Sequence, residues 1–120
     1  MGLEKPRLIK GKMFAEGASL LTDGRLTINN LSFTPSKVLY TVLGQINGWA
    51  SSQTGAISDK ADYQYYGNGK TTNFYARYYD NGSPPSTVGE HSGNAIIPNG
   101  FTVYASAFSN ASNVKWWAYE

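Results

Sequence analysis

The sequence predicts an all-β domain, an antiparallel two-sheet sandwich of the jelly-roll-like kind with about eight or nine short strands. Three observations carry this. The dipeptides Asp23-Gly24, Asn47-Gly48, Asn68-Gly69, Asn81-Gly82 and Asn99-Gly100 cut the chain into pieces of strand length, each ending in residues that tolerate a positive φ. Within the pieces, apolar residues alternate with polar ones. No stretch repeats its apolar residues with helical spacing over a helical length. An open barrel is the alternative closure of the same strands.

Lys12–Leu21 is the first expected strand. Arg25–Phe33 is the second. Leu26 and Ile28 share one face of it, and a bulge at Asn29-Asn30 would let Leu31 and Phe33 keep that face. Pro35 ends it, because proline cannot donate to a ladder. Lys37–Leu43 carries Val38, Tyr40 and Val42 on one face and Leu39, Thr41 and Leu43 on the other. It reads as a central strand covered on both sides, with Ile46–Ser51 continuing it past Gly44.

Asp62–Tyr66 and Thr71–Asp80 read as a hairpin around Asn68-Gly69. Phe74, Ala76 and Tyr78 are assigned to its inward face, and Asn73, Tyr75, Arg77 and Tyr79 to its outward one. Gly82–Gly89 reads as a loop. Phe101–Phe108 turns Phe101, Val103 and Ala105 to one side. Val114–Glu120 closes the chain with Val114, Trp116 and Ala118 on the core face, which places Trp117 opposite, toward solvent or a subunit contact. The expected core includes Leu26, Ile28, Phe33, Val38, Val42, Phe74, Val103 and Trp116.

Composition bounds the function. The chain has 120 residues, enough for one domain with its own core. It has no cysteine, so disulfides, thiolate metal sites and thiol nucleophiles are excluded. Charged residues make up 15%, against a usual share of about 25%. The net charge of +2 is local: Lys5, Arg7, Lys10 and Lys12 open the chain, and beyond them six basic residues face seven acidic ones. Residues 1–11 therefore read as a basic N-terminal arm or linker, and 12–120 as the β-sandwich domain. The body lacks the basic stripe of a nucleic-acid binder. No apolar run approaches the roughly 20 residues of a membrane span, and the N-terminus lacks the apolar core of a signal peptide.

Catalytic signatures are missing as well. The one histidine, His91, lies in Gly-Glu-His-Ser-Gly, without a nucleophile elbow or an orienting partner in the sequence. One His and no Cys cannot make a zinc site. Asp59 and Asp62 match no calcium loop. The acids are scattered, so a glycosidase pair is not indicated. The glycines lack the Lys-Ser/Thr of a phosphate-cradling loop. The expectation is a binding protein, not an enzyme, that needs no metal or cofactor.

What stands out is tyrosine. Six of the nine tyrosines fall between Tyr63 and Tyr79, among several asparagines and Arg77. Tyrosine gives a large rigid contact and a hydroxyl at low entropic cost. The expected working surface is Tyr63, Tyr65, Asn73, Tyr75, Arg77 and Tyr79, with Trp49 adjacent. Such residues stack sugar rings and meet their hydroxyls. Tyrosine is also an ordinary strand residue, so a ligand, a neighbouring subunit or water remain open as what these rings face.

Leu31-Ser32-Phe33-Thr34-Pro35-Ser36-Lys37-Val38 resembles a strand–turn–strand segment of tail proteins from phages and prophages of Gram-positive bacteria. Lys10–Gly17, Ala95–Phe101 and Trp116–Glu120 fit the same pattern, while Trp49–Val88 does not. The resemblance implies a receptor-binding, tail-fibre or baseplate-type β-sandwich located in the virion. It also implies a homotrimer about a fibre axis, upstream tail proteins as neighbours, and a host cell-surface glycan as ligand. The alternatives are a structural tail or baseplate module whose aromatics form subunit interfaces, a carbohydrate-binding module of a secreted enzyme, and, last, a polysaccharide depolymerase.

Overall fold

The computed structural model describes residues 2–3, 7–9, 11–79, 87–109 and 112–120. Its described residues form strands β1 (Gly2–Leu3), β2 (Arg7–Ile9), β3 (Lys12–Leu20), β4 (Arg25–Ile28), β5 (Lys37–Ile46) and β6 (Trp49–Ser58). The chain continues through β7 (Asn73–Tyr79), β8 (Thr87–Gly89), β9 (Ala95–Ile97), β10 (Gly100–Tyr104) and β11 (Asn113–Tyr119). The large sheet runs β1-β3-β11-β5-β6-β7-β8, with β2 also on β3; the small sheet runs β4-β10-β9. Every pairing within the sheets is antiparallel. The fold is the expected two-sheet β-sandwich. Gly2–Leu3 and Arg7–Ile9, in the stretch read as an arm, pair with β3.

The small sheet covers one face of the large one. Leu26, Ile28, Phe101 and Val103 meet Val38, Tyr40, Val42, Val114, Trp116 and Ala118 in one buried cluster. Trp116 is fully buried and stands edge-on to Phe101, with ring centroids 5.3 Å apart, which locks the two sheets together. Of the eight expected core residues seven are buried; Phe74 is half-buried on the opposite face of the large sheet.

Several expected elements have different limits. β4 stops at Ile28, and no bulge forms at Asn29-Asn30. The chain instead leaves the sheet, tied by Leu31 N–H to the Asn99 carbonyl and by the Asn99 amide to the Leu31 carbonyl, both at 3.0 Å. Leu31 and Phe33 enter the core from that loop. β5 is central, but only its Val38, Tyr40 and Val42 face is covered; Leu43, on the other face, is exposed. At Asn47-Gly48 both residues have positive φ (52° and 83°), a two-residue hairpin turn that reverses the chain. What reads as a continuation of β5 is therefore its partner β6.

The expected hairpin is reduced to one bridge, Tyr63 with Thr71, because β7 pairs with β6 and β8 instead. Its tip lies at Tyr66-Gly67 (φ 46° and 77°) and not at Asn68-Gly69. Asn81-Gly82 and most of Gly82–Gly89 lie outside the described residues; Thr87–Gly89 forms β8.

Candidate functional site

The facing of β7 decides what is available to a ligand, and it is the reverse of the expectation. Ile57, Gly55, Gln53 and Ser51 of β6 are buried beneath the small sheet and pair with Asn73, Tyr75, Arg77 and Tyr79. Those four therefore point inward. Asn73 is buried, and Tyr75 and Tyr79 pack against the core. Tyr78, expected in the core, is exposed.

A polar network explains why these side chains turn in. Arg77 donates from Nε and from an Nη to Gln53 Oε1, at 3.2 and 2.9 Å. Gln53 Nε2 and Asn94 Nδ2 each donate to the Tyr40 hydroxyl at 3.3 Å. Asn94 Oδ1 accepts from Tyr104 N–H at 2.7 Å, and Asn73 Oδ1 from His91 N–H at 2.9 Å. Buried polar groups are tolerated when their bonds are made in this way. Burial pushes the Tyr40 phenol up to about 12, against the pull of its two amide donors. His91 stacks flat on Tyr104, centroids 4.7 Å apart, and its Nδ1 accepts from Gly93 N–H. Among the described residues no three His, Cys, Asp or Glu side chains converge.

The aromatic surface lies on the outer face of the large sheet. Register places Glu16, Trp117, Leu39, Ala56 and Phe74 side by side across β3, β11, β5, β6 and β7. Tyr63 continues this row, edge-on to Phe74 with centroids 5.4 Å apart. Burial raises the Tyr63 phenol, and the Asp62 carboxylate adds to the shift. In the neighbouring row Tyr119 packs on Phe14 at 5.1 Å. Together Leu39, Thr41, Thr54, Ala56, Phe74, Trp117 and Tyr119 line a shallow groove of about 390 Å³. Apolar floor, aromatic walls and two threonines suit a ligand that has both C–H faces and hydroxyls.

Of the residues expected to form the site, Tyr63 alone lies on this groove's row. Tyr65 packs against Tyr66 in the loop beyond β6, at 6.4 Å. Trp49 is exposed at the hairpin end of the sheet. Phe74, Trp117 and Tyr119 were not among the expected site residues. The signal for them lay in the last strand, where assigning Trp116 to the core sends Trp117 and Tyr119 together to the other face.

Tyr66 itself is 83% exposed at a positive φ of 46°. A bulky residue is strained there, and asparagine is less so. Tyr66→Asn is expected to raise stability by about 0.5 kcal/mol, read as a higher urea midpoint. A lower midpoint would mean that the ring holds the loop through Tyr65.

A larger cleft, about 640 Å³, opens between the end of β3 and β4 and is lined by residues including Leu20, Arg25, Leu26 and Ile28. Among the described residues no aromatic ring lines it, and Arg25 is its one charged group. No protein-family model matches this chain, nor does any curated protein or solved structure.

Proposed function

We propose that this domain is a non-enzymatic binding module that adsorbs to a cell-surface saccharide through the outer face of its large sheet. The observation that carries the reading is the row of Trp117, Leu39, Ala56, Phe74 and Tyr63 on a sheet face over which the described residues lay no second sheet. Flat rings on a rigid sheet are preorganised and lose little entropy on binding. The resemblance to tail proteins supports a setting in a phage or prophage virion, with a host glycan as the receptor.

A second reading is favoured by Leu20, Leu43 and Tyr78. All three are exposed, and register aligns them with Asn113 and Ser52 in another row of the same face. Leucine side chains do not stack sugars, and an exposed aliphatic row suits a subunit contact, as in a homotrimer. The two readings address different rows and are separable.

The test is a printed array of bacterial cell-surface saccharides probed with labelled protein. Binding to one saccharide class is expected, with at least about tenfold loss on Trp117→Ala and no change in sedimentation. Dissociation of an oligomer by Trp117→Ala would make the row a subunit interface. Release of reducing ends from a bound polysaccharide would make the protein an enzyme.

A further inference from the structure

We infer that the ligand of this face is an extended acidic saccharide chain, laid across the strands from Trp117 to Tyr63, and not a single sugar ring. The inference rests on the saccharide reading above and adds the length and charge of the ligand.

Length follows from register. Trp117 and Phe74 are separated by the two intervening strands β5 and β6, so their positions lie about 14 Å apart at the usual strand spacing. Tyr63 extends the row by one further ring contact. Between the two aromatic ends the floor is Leu39, Ala56 and the backbone of Gly55. Gly55 itself faces inward, where an added Cβ would clash with the Tyr40 hydroxyl, so only its backbone meets the groove. A single pyranose covers one ring and cannot reach from one end of this row to the other. A chain of sugars can stack at Trp117 and again at Phe74, and the second contact is then made without a second loss of translational freedom.

Charge follows from the flanks. Lys37 stands beside Tyr119 and Lys115 beside Thr41, one on each side of the aromatic row. Their ammonium groups lie 5.8 Å from the ring centroids of Tyr119 and Trp117. Both lysines are exposed. The carboxylates near the row are placed differently. Glu16 lies at its β3 end beyond Trp117, Glu120 accepts from Met13 N–H, and Asp62 accepts from the Ser58 hydroxyl at the loop end. The middle of the row is thus bordered by cations alone among these groups. An exposed cation–π contact is weak, so an acidic substituent on the chain can draw each ammonium off its ring and free the ring face for stacking.

The experiment is calorimetric titration of the intact chain with galacturonic acid, its linear hexasaccharide, and neutral cellohexaose. The acidic hexasaccharide is expected to bind at least about tenfold tighter than either other probe. Its advantage over cellohexaose should shrink at about 1 M salt, where the Debye length is about 3 Å. Lys37→Gln with Lys115→Gln should abolish the preference for acid while the denaturation midpoint is unchanged. Equal binding of monomer and hexasaccharide overturns the extended ligand; equal binding of the two hexasaccharides, or an acid preference that survives both substitutions, overturns the acidic one. If none of the probes binds while the array shows a saccharide sensitive to Trp117→Ala, this inference falls and the proposed function stands. If the array is blank too, both fall.

Discussion

Replacing Trp116 with alanine is expected to cost about 3–5 kcal/mol, the range for emptying a fully buried aromatic site. Small domains are stable by about 5–15 kcal/mol, so much of the margin disappears. Trp116 has no exposed surface, sits on β11 in the interior of the large sheet and contacts Phe101 of the small one. Its removal leaves a cavity where both sheets converge. Trp117, one residue on, stands on the half-open outer face, and Trp117→Ala should cost clearly less. The indole N–H of Trp116 has no hydrogen-bond partner among the described residues. Its contribution is therefore packing, and Trp116→Phe should recover most of the loss. Guanidinium denaturation of the three variants checks the ranking, and a Trp117→Ala protein less stable than Trp116→Ala would reverse the facing of the strand.

Gly100→Ala is the second large effect. Gly100 opens β10, and a methyl there would lie 1.6 Å from the Ile28 carbonyl oxygen and 2.5 Å from its carbon. These are backbone atoms at the end of β4, not the tip of a flexible side chain, so the small sheet itself must part. The expected cost is about 3 kcal/mol or more, at the upper end for overpacking. Gly69→Ala is the control: its methyl would meet nothing within 4 Å, and the change should fall within about 0.5 kcal/mol. If thermal unfolding shows Gly100→Ala to be as mild as Gly69→Ala, then β4 and β10 are not held as closely as described.

The fold was legible where burial and apolarity coincide. Val114, Trp116 and Ala118 alternate cleanly, and so do Val38, Tyr40 and Val42; all six are buried. Legibility failed at β6 and β7, for one reason. β6 carries Ser51, Ser52, Gln53, Thr54 and Gly55, a run without any apolar side chain, and Gln53 in its middle is fully buried. Arg77, Tyr40 and Asn94 satisfy Gln53 directly or through a shared hydroxyl, so its burial depends on partners far away in sequence. No periodicity of hydrophobicity can reveal a face that is buried by hydrogen bonding. The same network inverted the assignment of β7: Asn73 and Arg77 look like surface residues until their acceptors and donors are known. The candidate site suffered in consequence, since its four expected β7 residues, Asn73, Tyr75, Arg77 and Tyr79, sat on the face that the network claims, while Trp117 and Phe74 waited on the other.

The position of β11 bears on the order in which the chain can assemble. The last strand is inserted between β3 and β5, pairing Trp116 with both Gly17 and Tyr40. The β5–β6 hairpin closes across two residues and can form while the chain is still being made. β3 has no such local partner among the long strands; its seven-residue ladder with β11 waits until residues 113–119 have been synthesised. Until then β3 and β5 each present an open edge of the kind that recruits other chains. A ribosome that pauses before residue 113 would hold a nascent chain in which β3 and β5 cannot yet be joined.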